Sequence, residues 1–268
     1  MNKDLQARVA IVTGGTGGIG RGVALQLASR GASVVVNGRN AERGERVVAE
    51  IRSLGGTACF APGDVRSKPD MEAVVAESVR HFGGVDIVVA NAGGDDEEAR
   101  RPDVRGPFPH IDLARVTAFV GQALASKLLI AQAAMPSMKQ RGGGSLVFIT
   151  SEGGRVASPG QTAMASFSGG LIMASKVLAK ELARERIRVN CVCVTVVRDT
   201  PSWDAVFARE GAVSEQHRKQ YEKIAARSPL GLASPADIGR VVAFLASDDA
   251  AYLTGASVSP TGGLTIHN

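Results

Sequence analysis

The chain has 268 residues, of which 44% are hydrophobic, 21% charged and 4% aromatic, and its formal net charge is +5. This length and apolar content suit one large core in a single α/β domain that covers residues 1–268. Lysine and arginine are scattered among acidic residues without a basic cluster, which argues against a nucleic-acid partner.

The sequence shows no run of 18 or more apolar residues, no charged-then-apolar leader and no lipidation motif. We therefore expect no membrane association and a cytoplasmic location. Cys59, Cys191 and Cys193 form no metal-ligand spacing with the four histidines. The cysteines are interpreted as small core residues, and no metal site is predicted.

The first element is an apolar run at 8–20 that ends in glycines and leads into a helical pattern. It predicts a strand, a tight turn and a helix. Gly14, Gly18 and Gly20 allow backbone N–H groups to approach a phosphate at the positive end of that helix. A second predicted strand at 32–37 follows at the distance of a βαβ unit, so the pattern indicates a dinucleotide site.

Strand patterns alternate with helical patterns along the whole chain. The alternation predicts a Rossmann-like, doubly wound parallel sheet of about seven strands with helices on both faces. The predicted strands lie near residues 8–13, 32–37, 57–61, 85–90, 144–150, 187–194 and 256–260. One segment, 94–107, is unusually long and dense in charge, and it is either a solvated loop or a rim or partner-docking element.

The glycine spacing, with three residues between the first pair and one between the second, resembles that of the short-chain dehydrogenase/reductase family. Further motifs similar to those of the family follow in order at 64–65, 91–93, 144–151, 180–183, 187–190, 228–231, 244–247 and 253–255. The resemblance implies a nicotinamide dinucleotide as cofactor. Its implied binding residues are Gly14, Thr16, Gly18, Ile19, Gly20, Arg39, Asp64, Val65, Asn91 and Gly93.

The end of the second predicted strand bears on the choice of cofactor. Folds that prefer NAD place a carboxylate there, but this chain has Gly38 followed by Arg39, a pattern typical of NADP(H). Arg39 could instead be an ordinary surface arginine, and Thr16 stands in the turn where NADP-preferring relatives often have a basic residue. Val194 and Thr195 replace the family's Pro–Gly pair, so a blocked nicotinamide end with no bound cofactor is the alternative.

The resemblance implies four catalytic residues, a Ser, a Tyr, a Lys and an Asn. This chain keeps one of them, the serine, as Ser151. Counting forward from Ser151 and counting back from 180–183 both place the Tyr position at Met164, and the Lys position falls on Ser168. The Asn position is Ala123. Methionine cannot transfer a proton, and serine carries no charge to lower a neighbouring pKa.

Other features agree with this loss. The triplet 174–176 is similar to the family's Ala-Ser-Lys, but aligning it with that motif would require a deletion and would place Ile172 at the Tyr position. No register therefore supplies a tyrosine. Thr261 replaces the acidic residue before a Gly–Gly pair near the C-terminus. Neither Tyr221 nor Tyr252 lies on the predicted active-site helix.

Two functions compete on these grounds. The first is a non-catalytic, regulatory or scaffold subunit of an oxidoreductase complex that still binds NADP(H). It would form a homo- or hetero-oligomer, expected to be a tetramer, with itself or with an active relative through the helical segments 123–134 and 169–179. The alternative is an NADP(H)-dependent oxidoreductase, dehydratase or isomerase acting on a carbonyl or alcohol with His110, Glu152 or Tyr221 as proton donor.

A nucleotide sensor is a weaker third reading. The segment 197–227 is predicted to be a lid over the substrate pocket, and its Trp203 and Phe207 suggest an apolar inner face. These features identify no substrate class.

Overall fold

The structure is a computed structural model that describes residues 3–94, 98–207 and 215–266. The strands are β1 (Val9–Thr13), β2 (Ser33–Gly38), β3 (Thr57–Pro62), β4 (Ile87–Ala90), β5 (Gly144–Ser151), β6 (Ile187–Val194) and β7 (Ser257–Val258). The α-helices of the described ranges are α1 (Gly18–Ser29), α2 (Ala41–Ser53), α3 (Lys68–Phe82), α4 (Leu113–Gln140), α5 (Thr162–Leu182), α6 (Pro201–Phe207), α7 (Glu215–Ala226) and α8 (Pro235–Ala246).

All seven strands run parallel in one sheet, in the order β3-β2-β1-β4-β5-β6-β7. The chain first winds from β1 toward β3 and then returns past β1 to β4. This reversal creates a crevice beyond the carboxyl ends of β1 and β4, which is where doubly wound folds bind their ligands. The predicted Rossmann-like fold is confirmed.

The bounds of all seven predicted strands agree with the structure to within two residues. The prediction of 256–260 is wrong in length, because only Ser257 and Val258 pair with β6. The chain leaves the sheet after Val258, where the Ser259 hydroxyl donates a hydrogen bond of 2.6 Å to Glu152. β4 begins at Ile87 rather than at 85, since the Asp86 carboxylate itself accepts from the backbone N–H of Val9 at 2.8 Å.

Two apolar cores cover the two faces of the sheet. Side chains of α1, α2 and α8 bury one face, and those of α3, α4 and α5 bury the other. Cys59, Cys191 and Cys193 are free thiols buried in the second core, as predicted. Because both faces are covered, the strands are almost continuously apolar, as parallel sheets require.

α4 and α5 have the length and hydropathy of membrane-crossing helices, by composition alone. Both lie against the sheet, where Ile130 of α4 and Leu171 of α5 are fully buried. Packing against the sheet therefore explains the apolar residues on the core-facing sides of the two helices. Their outward sides keep exposed apolar residues, including Leu113, Met173 and Val177.

The charged segment is folded where the structure describes it, although 95–97 lie outside the described residues. It contains short 3₁₀ turns at Glu98–Arg100 and Phe108–His110, and Ala99 and Val104 are buried in the core. Arg115 of α4 binds Glu98 at 3.0 Å. The expectation of a solvated loop is wrong for these residues, because two apolar side chains and the ion pair hold the segment down. A docking role for it stays a prediction.

The contact between α1 and α8 depends on glycine at two facing positions. A β-carbon on Gly22 would lie 2.4 Å from the carbonyl oxygen of Pro235, and one on Gly239 would lie 2.6 Å from the carbonyl oxygen of Gly22. Because these obstacles are backbone atoms, they cannot rotate away. Gly22 and Gly239 therefore set the close approach of the two helices behind the glycine-rich turn.

Gly22→Ala is expected to lower the free energy of unfolding by about 1–3 kcal/mol, the usual cost of overpacking. Urea unfolding followed by circular dichroism measures it. Gly121→Ala is the matched control, because Gly121 is an exposed glycine within α4 and a β-carbon there meets nothing within 4 Å. The control should gain about 0.5–1 kcal/mol from higher helix propensity. Equal effects of both substitutions would contradict the close-packing interpretation.

Candidate functional site

The glycine-rich turn joins β1 to α1 at the crevice. Gly14 and Gly18 have φ of 63° and 50°, which strongly favour glycine. A β-carbon on Gly20 would lie 2.1 Å from the carbonyl oxygen of Gly14, so this helix position also requires glycine. The N-cap residue Gly17 supplies no side-chain hydrogen bond to α1. The first N–H groups of the helix are thus uncapped by a side chain and suited to an anion such as a phosphate.

The end of β2 forms one side of the crevice. A β-carbon on Gly38 would lie 2.6 Å from the Cγ2 atom of Thr16, so the two residues are packed together. Arg39 follows directly and is exposed. Ile19 packs against the core beneath α1. The structure therefore places an exposed guanidinium, and no carboxylate, immediately after β2.

Asp64 and Val65 follow β3 on the same side. The pKa of Asp64 is lowered to about 2, mainly because Arg66 binds its carboxylate at 2.5 Å, with a smaller Coulombic contribution from Arg39. Val65 packs its partly buried side chain against the core. The predicted residues Arg39 and Asp64 are thus brought within electrostatic range of each other at the carboxyl ends of β2 and β3.

A buried acceptor lies in the same region. The side chain of Asn37 donates hydrogen bonds to the carbonyl oxygens of Ala61 and Gly63 at 3.1 and 3.3 Å. Its Oδ1 atom is fully buried and has no hydrogen-bond partner among the described residues. Buried acceptors are rarely left unpaired, so this atom is a candidate to receive a donor from a ligand or water.

Asn91 and Gly93 lie at the reversal point of the sheet. The Asn91 side chain donates to the carbonyl oxygen of Thr13 at 3.1 Å, and its backbone N–H donates to the Thr13 hydroxyl at 3.0 Å. A β-carbon on Gly93 would lie 2.0 Å from the Ser126 hydroxyl oxygen. These contacts tie the end of β4 to β1 and to α4 and form the floor of the crevice.

Ser151, the predicted remnant of the catalytic set, lies at the end of β5 near Gly153. The Ser151 hydroxyl accepts from the backbone N–H of Gly153 at 3.1 Å. A β-carbon on Gly153 would lie 3.3 Å from that hydroxyl oxygen and 3.9 Å from the Cγ atom of Met164. Ser151 and Met164, the latter at the position that the sequence register assigned to a tyrosine, therefore both lie beside Gly153.

The positions assigned to the lysine and the asparagine are both buried. Ser168 is fully buried, and its hydroxyl has no hydrogen-bond partner among the described residues. Ala123 is buried on the inner face of α4. Lys176 of the similar triplet is exposed, whereas Ile172 is buried. The triplet therefore presents its lysine to solvent on the outer side of α5.

The alternative proton donors are dispersed. His110 is exposed at the end of a 3₁₀ turn, and the half-buried Tyr221 belongs to α7. Glu152 is buried directly after Ser151 and accepts from the hydroxyls of Ser259 and Thr265 at 2.6 and 3.0 Å. Glu152 is thus the candidate donor next to Ser151 in sequence. Its carboxylate binds the C-terminal segment through Ser259 and Thr265.

The predicted lid begins against the phosphate-binding turn. The Thr200 hydroxyl accepts from the backbone N–H of Trp203 and so caps α6. A β-carbon on Gly18 would lie 3.2 Å from the Cδ atom of Pro201. Arg100 donates to the hydroxyl of Ser202 at 3.3 Å, which links the charged segment to the lid.

Other predicted features near the lid are only partly visible. Residues 208–214 and the side chain of Phe207 lie outside the described residues. Trp203 is half-buried. Val194, at the end of β6, is partly buried against the core, and Thr261 is buried and donates to the carbonyl oxygen of Thr265. Within the described ranges, no group of three His, Cys, Asp or Glu side chains is arranged to hold a metal ion.

One buried cation was missed by the sequence analysis. Lys127 of α4 is 1% exposed, and its amine donates to the carbonyl oxygens of Asn91 at 2.6 Å and Ala90 at 3.1 Å. Burial lowers the pKa of this amine to about 7. Helical spacing could have revealed it, because Lys127 lies four residues after Ala123 and four before Ala131, both of which are buried.

Comparisons with known proteins agree with this geometry. A family model described as enoyl-(acyl carrier protein) reductase matches residues 14–265. The dehydrogenase/reductase SDR family member 4 of Sus scrofa is 34% identical, over 97% of this chain and 88% of that protein. The 4-formylbenzenesulfonate dehydrogenase of Comamonas testosteroni is 35% identical, over 98% of this chain and all of that protein.

Solved structures show the same relationship. A putative short-chain alcohol dehydrogenase from Sinorhizobium meliloti superposes with a TM-score of 0.84 at 30% identity and covers 98% of both chains. A 7α-hydroxysteroid dehydrogenase complex superposes with a TM-score of 0.83 at 29% identity, over 98% of this chain and 97% of that one. The chain belongs to the short-chain dehydrogenase/reductase family.

Proposed function

We propose that this chain is a nucleotide-binding member of its oxidoreductase family that binds NADP(H) but lacks the usual proton-transfer pair. It would act as a non-catalytic or regulatory subunit. The observation that supports the proposal is the presence of Met164 beside Gly153, close to Ser151, together with the partnerless buried hydroxyl of Ser168. A side chain that can donate a proton and a cation that can tune it are both replaced at these positions.

The residues of the crevice fit a dinucleotide. The uncapped start of α1 suits the pyrophosphate, and the exposed Arg39 and buried Oδ1 of Asn37 lie at the adenosine end. The solved 7α-hydroxysteroid dehydrogenase contains NADH, which supports the assignment of a nicotinamide dinucleotide to the same family crevice. When bound, the nicotinamide supplies or accepts a hydride.

The protein's own residues support only part of the family chemistry. Ser151 can donate a hydrogen bond to a carbonyl oxygen, because its hydroxyl accepts from the backbone N–H of Gly153 and keeps its own proton for donation. Met164 presents a thioether there, which neither donates nor releases a proton. The crevice can therefore hold and orient a nucleotide without delivering the proton that completes carbonyl reduction.

NADP(H) is proposed rather than NAD(H) because of the residues after β2. Thr16 fills the space beside Gly38, which leaves no room for a longer acidic side chain there, and Arg39 supplies a planar cation with several donors. Such a cation suits the 2′-phosphate that distinguishes NADP(H).

Arg39→Ala is expected to weaken NADPH binding roughly tenfold or more, the usual effect of losing a charged hydrogen bond. NADH binding should hardly change. Calorimetric titration of both nucleotides measures the preference, and Arg46→Ala is the control because Arg46 is an exposed arginine one turn into α2, paired with Glu42. Tighter binding of NADH by the natural chain, or an unchanged preference in Arg39→Ala, would refute the assignment.

A role as a subunit requires an interface, for which the outer faces of α4 and α5 are proposed. Met173 and Val177 lie one turn apart on α5 and are exposed, and Leu113 is exposed at the start of α4. Such faces pack against their equivalents in two-fold symmetric oligomers. Co-expression with an active relative from the same cell, followed by affinity purification and light scattering, tests the partner and the expected tetramer.

The alternative is an oxidoreductase that uses a different proton donor on a carbonyl or alcohol substrate. It is favoured by the family relationship and by the buried carboxylate of Glu152 directly after Ser151. Turnover by the natural chain alone that is lost in Glu152→Gln would establish it. Loss in a His110 or Tyr221 variant instead would assign the donor to one of those residues.

A further inference from the structure

Lys127 places a buried amine at the carboxyl end of β4. Its side chain crosses from α4 to the sheet, where it donates to the carbonyl oxygens of Ala90 and Asn91. Ala90 is the last residue of β4, which borders the reversal point, and Asn91, the next residue, also binds Thr13 at the end of β1. The amine is therefore built into the floor of the proposed nucleotide crevice.

The surroundings of Lys127 explain how the amine reaches this place. Side chains of a helix lean toward its N-terminal end, so Lys127 extends toward the level of Ala123, one turn earlier. Ala123 fills little volume, and it lies one turn before Lys127 on the same buried face of α4.

Few titratable groups lie close enough to the Lys127 amine to change its protonation. β4 contributes backbone carbonyl oxygens, and β6 contributes the thiol of Cys191, whose own pKa burial raises to about 11. α5 contributes the Ser175 hydroxyl, which donates to its own helix, and Lys176, which acts on Cys191. Among the described residues of the packed elements, including α3 and β5, Cys191 is the titratable group that acts on the amine.

We propose that the charge of Lys127 makes the crevice bind the reduced nucleotide more tightly than the oxidised one. An oxidised nicotinamide ring carries a positive charge, and a reduced ring is neutral. A protonated amine beneath the crevice repels the oxidised ring and leaves the reduced one unaffected. The protein then prefers the reduced nucleotide, and the preference declines when the amine loses its proton. The inference rests on the nucleotide binding proposed above.

The test measures the dissociation constants of NADPH and NADP⁺ by calorimetric titration of the full chain at about pH 6 and about pH 9. Both nucleotides carry the same phosphates, so their ratio largely removes the titration of those groups. In the natural chain the ratio Kd(NADP⁺)/Kd(NADPH) should fall roughly 3- to 15-fold between the two pH values. This is the effect of two unit charges on the order of 10 Å apart at an effective dielectric constant of about 20–40.

Lys127→Met should give a ratio that does not change with pH, whereas the control Lys176→Met, which removes an exposed lysine of α5, should keep the natural behaviour. A ratio in the natural chain that is independent of pH, or an unchanged response in Lys127→Met, overturns the inference and leaves nucleotide binding intact. Failure of both nucleotides to bind at either pH overturns the proposed function and this inference together. If Lys127→Met does not fold, the pH response of the natural chain decides alone.

Discussion

Carbonyl reduction is expected to be undetectable in the isolated chain and to appear in the double variant Met164→Tyr with Ser168→Lys. The tyrosine hydroxyl would face Ser151 and donate the proton, and the lysine one turn later would lower the pKa of that hydroxyl. General acid catalysis contributes roughly 10²–10⁴-fold, so a gain of at least roughly 10²-fold over the natural chain is expected. The measurement is NADPH oxidation with a panel of aldehydes and ketones.

The matched control is Met164→Phe with Ser168→Lys, which keeps the aromatic bulk and the new charge but lacks the hydroxyl. It should remain inactive if proton donation is the missing step. Ser168 is tightly packed, because a β-carbon on Gly154 would lie 2.8 Å from the Ser168 side chain, so nucleotide binding should be checked in both variants. Robust turnover by the natural chain, abolished by a change at His110, Glu152 or Tyr221, would contradict the non-catalytic proposal.

Local sequence patterns predicted the parallel sheet well because each pattern depends on a few neighbouring residues. The glycine turn is an example: Gly14, Gly18 and Gly20 are required by backbone conformation or close approach within the turn itself. The predicted β7 is too long because its end depends on a long-range contact. Its end is set by the contact of Ser259 with Glu152, 107 residues away, and no local pattern reports such a contact.

The site could be predicted where it follows the family register and not where it depends on packing. The register assigns Ser151 and Met164 to one site, and in the structure both side chains lie within 4 Å of the point that a β-carbon on Gly153 would occupy. The charged segment was interpreted as a loop because its charges dominate the sequence, yet Ala99 and Val104 are buried beneath them.

Lys127 shows the same limit at the site itself. Lysine is rarely fully buried, so an isolated lysine in an apolar helix is ordinarily assigned to the surface. Only its helical spacing from Ala123 and Ala131 places it on the buried stripe of α4. Its partners are backbone carbonyl oxygens of β4, which carry no signature in the sequence.

Burial of this lysine should make the stability of the protein depend on pH. The pKa of Lys127 is about 7 in the folded chain, against an ordinary value of 10.5 in the unfolded chain. Below about pH 7 both states hold the proton, and the full cost of burying the charge is present. Above it the unfolded state binds more protons than the folded state, so the free energy of unfolding rises with pH.

The rise should be clearest between about pH 7 and pH 9. From the upper end of that range the buried thiols oppose it, since burial raises the pKa of Cys59 and Cys191 to about 11 and that of Cys193 to about 12. The unfolded chain then loses thiol protons that the folded chain retains. One pKa unit corresponds to about 1.4 kcal/mol, so Lys127 alone contributes a rise of about 2 kcal/mol across the window, from which the thiols subtract about 1 kcal/mol by pH 9.

Lys127→Met is expected to remove this rise. The variant should be more stable than the natural chain near pH 6, because no charge is buried. It should lose its advantage near pH 9, because a neutral lysine still donates to Ala90 and Asn91 and each such bond contributes about 1 kcal/mol. Urea unfolding of the nucleotide-free chain across this range measures the effect, with Lys176→Met as the control that keeps the natural slope. Parallel curves for the natural chain and Lys127→Met would show that the amine is not titrating in the folded protein.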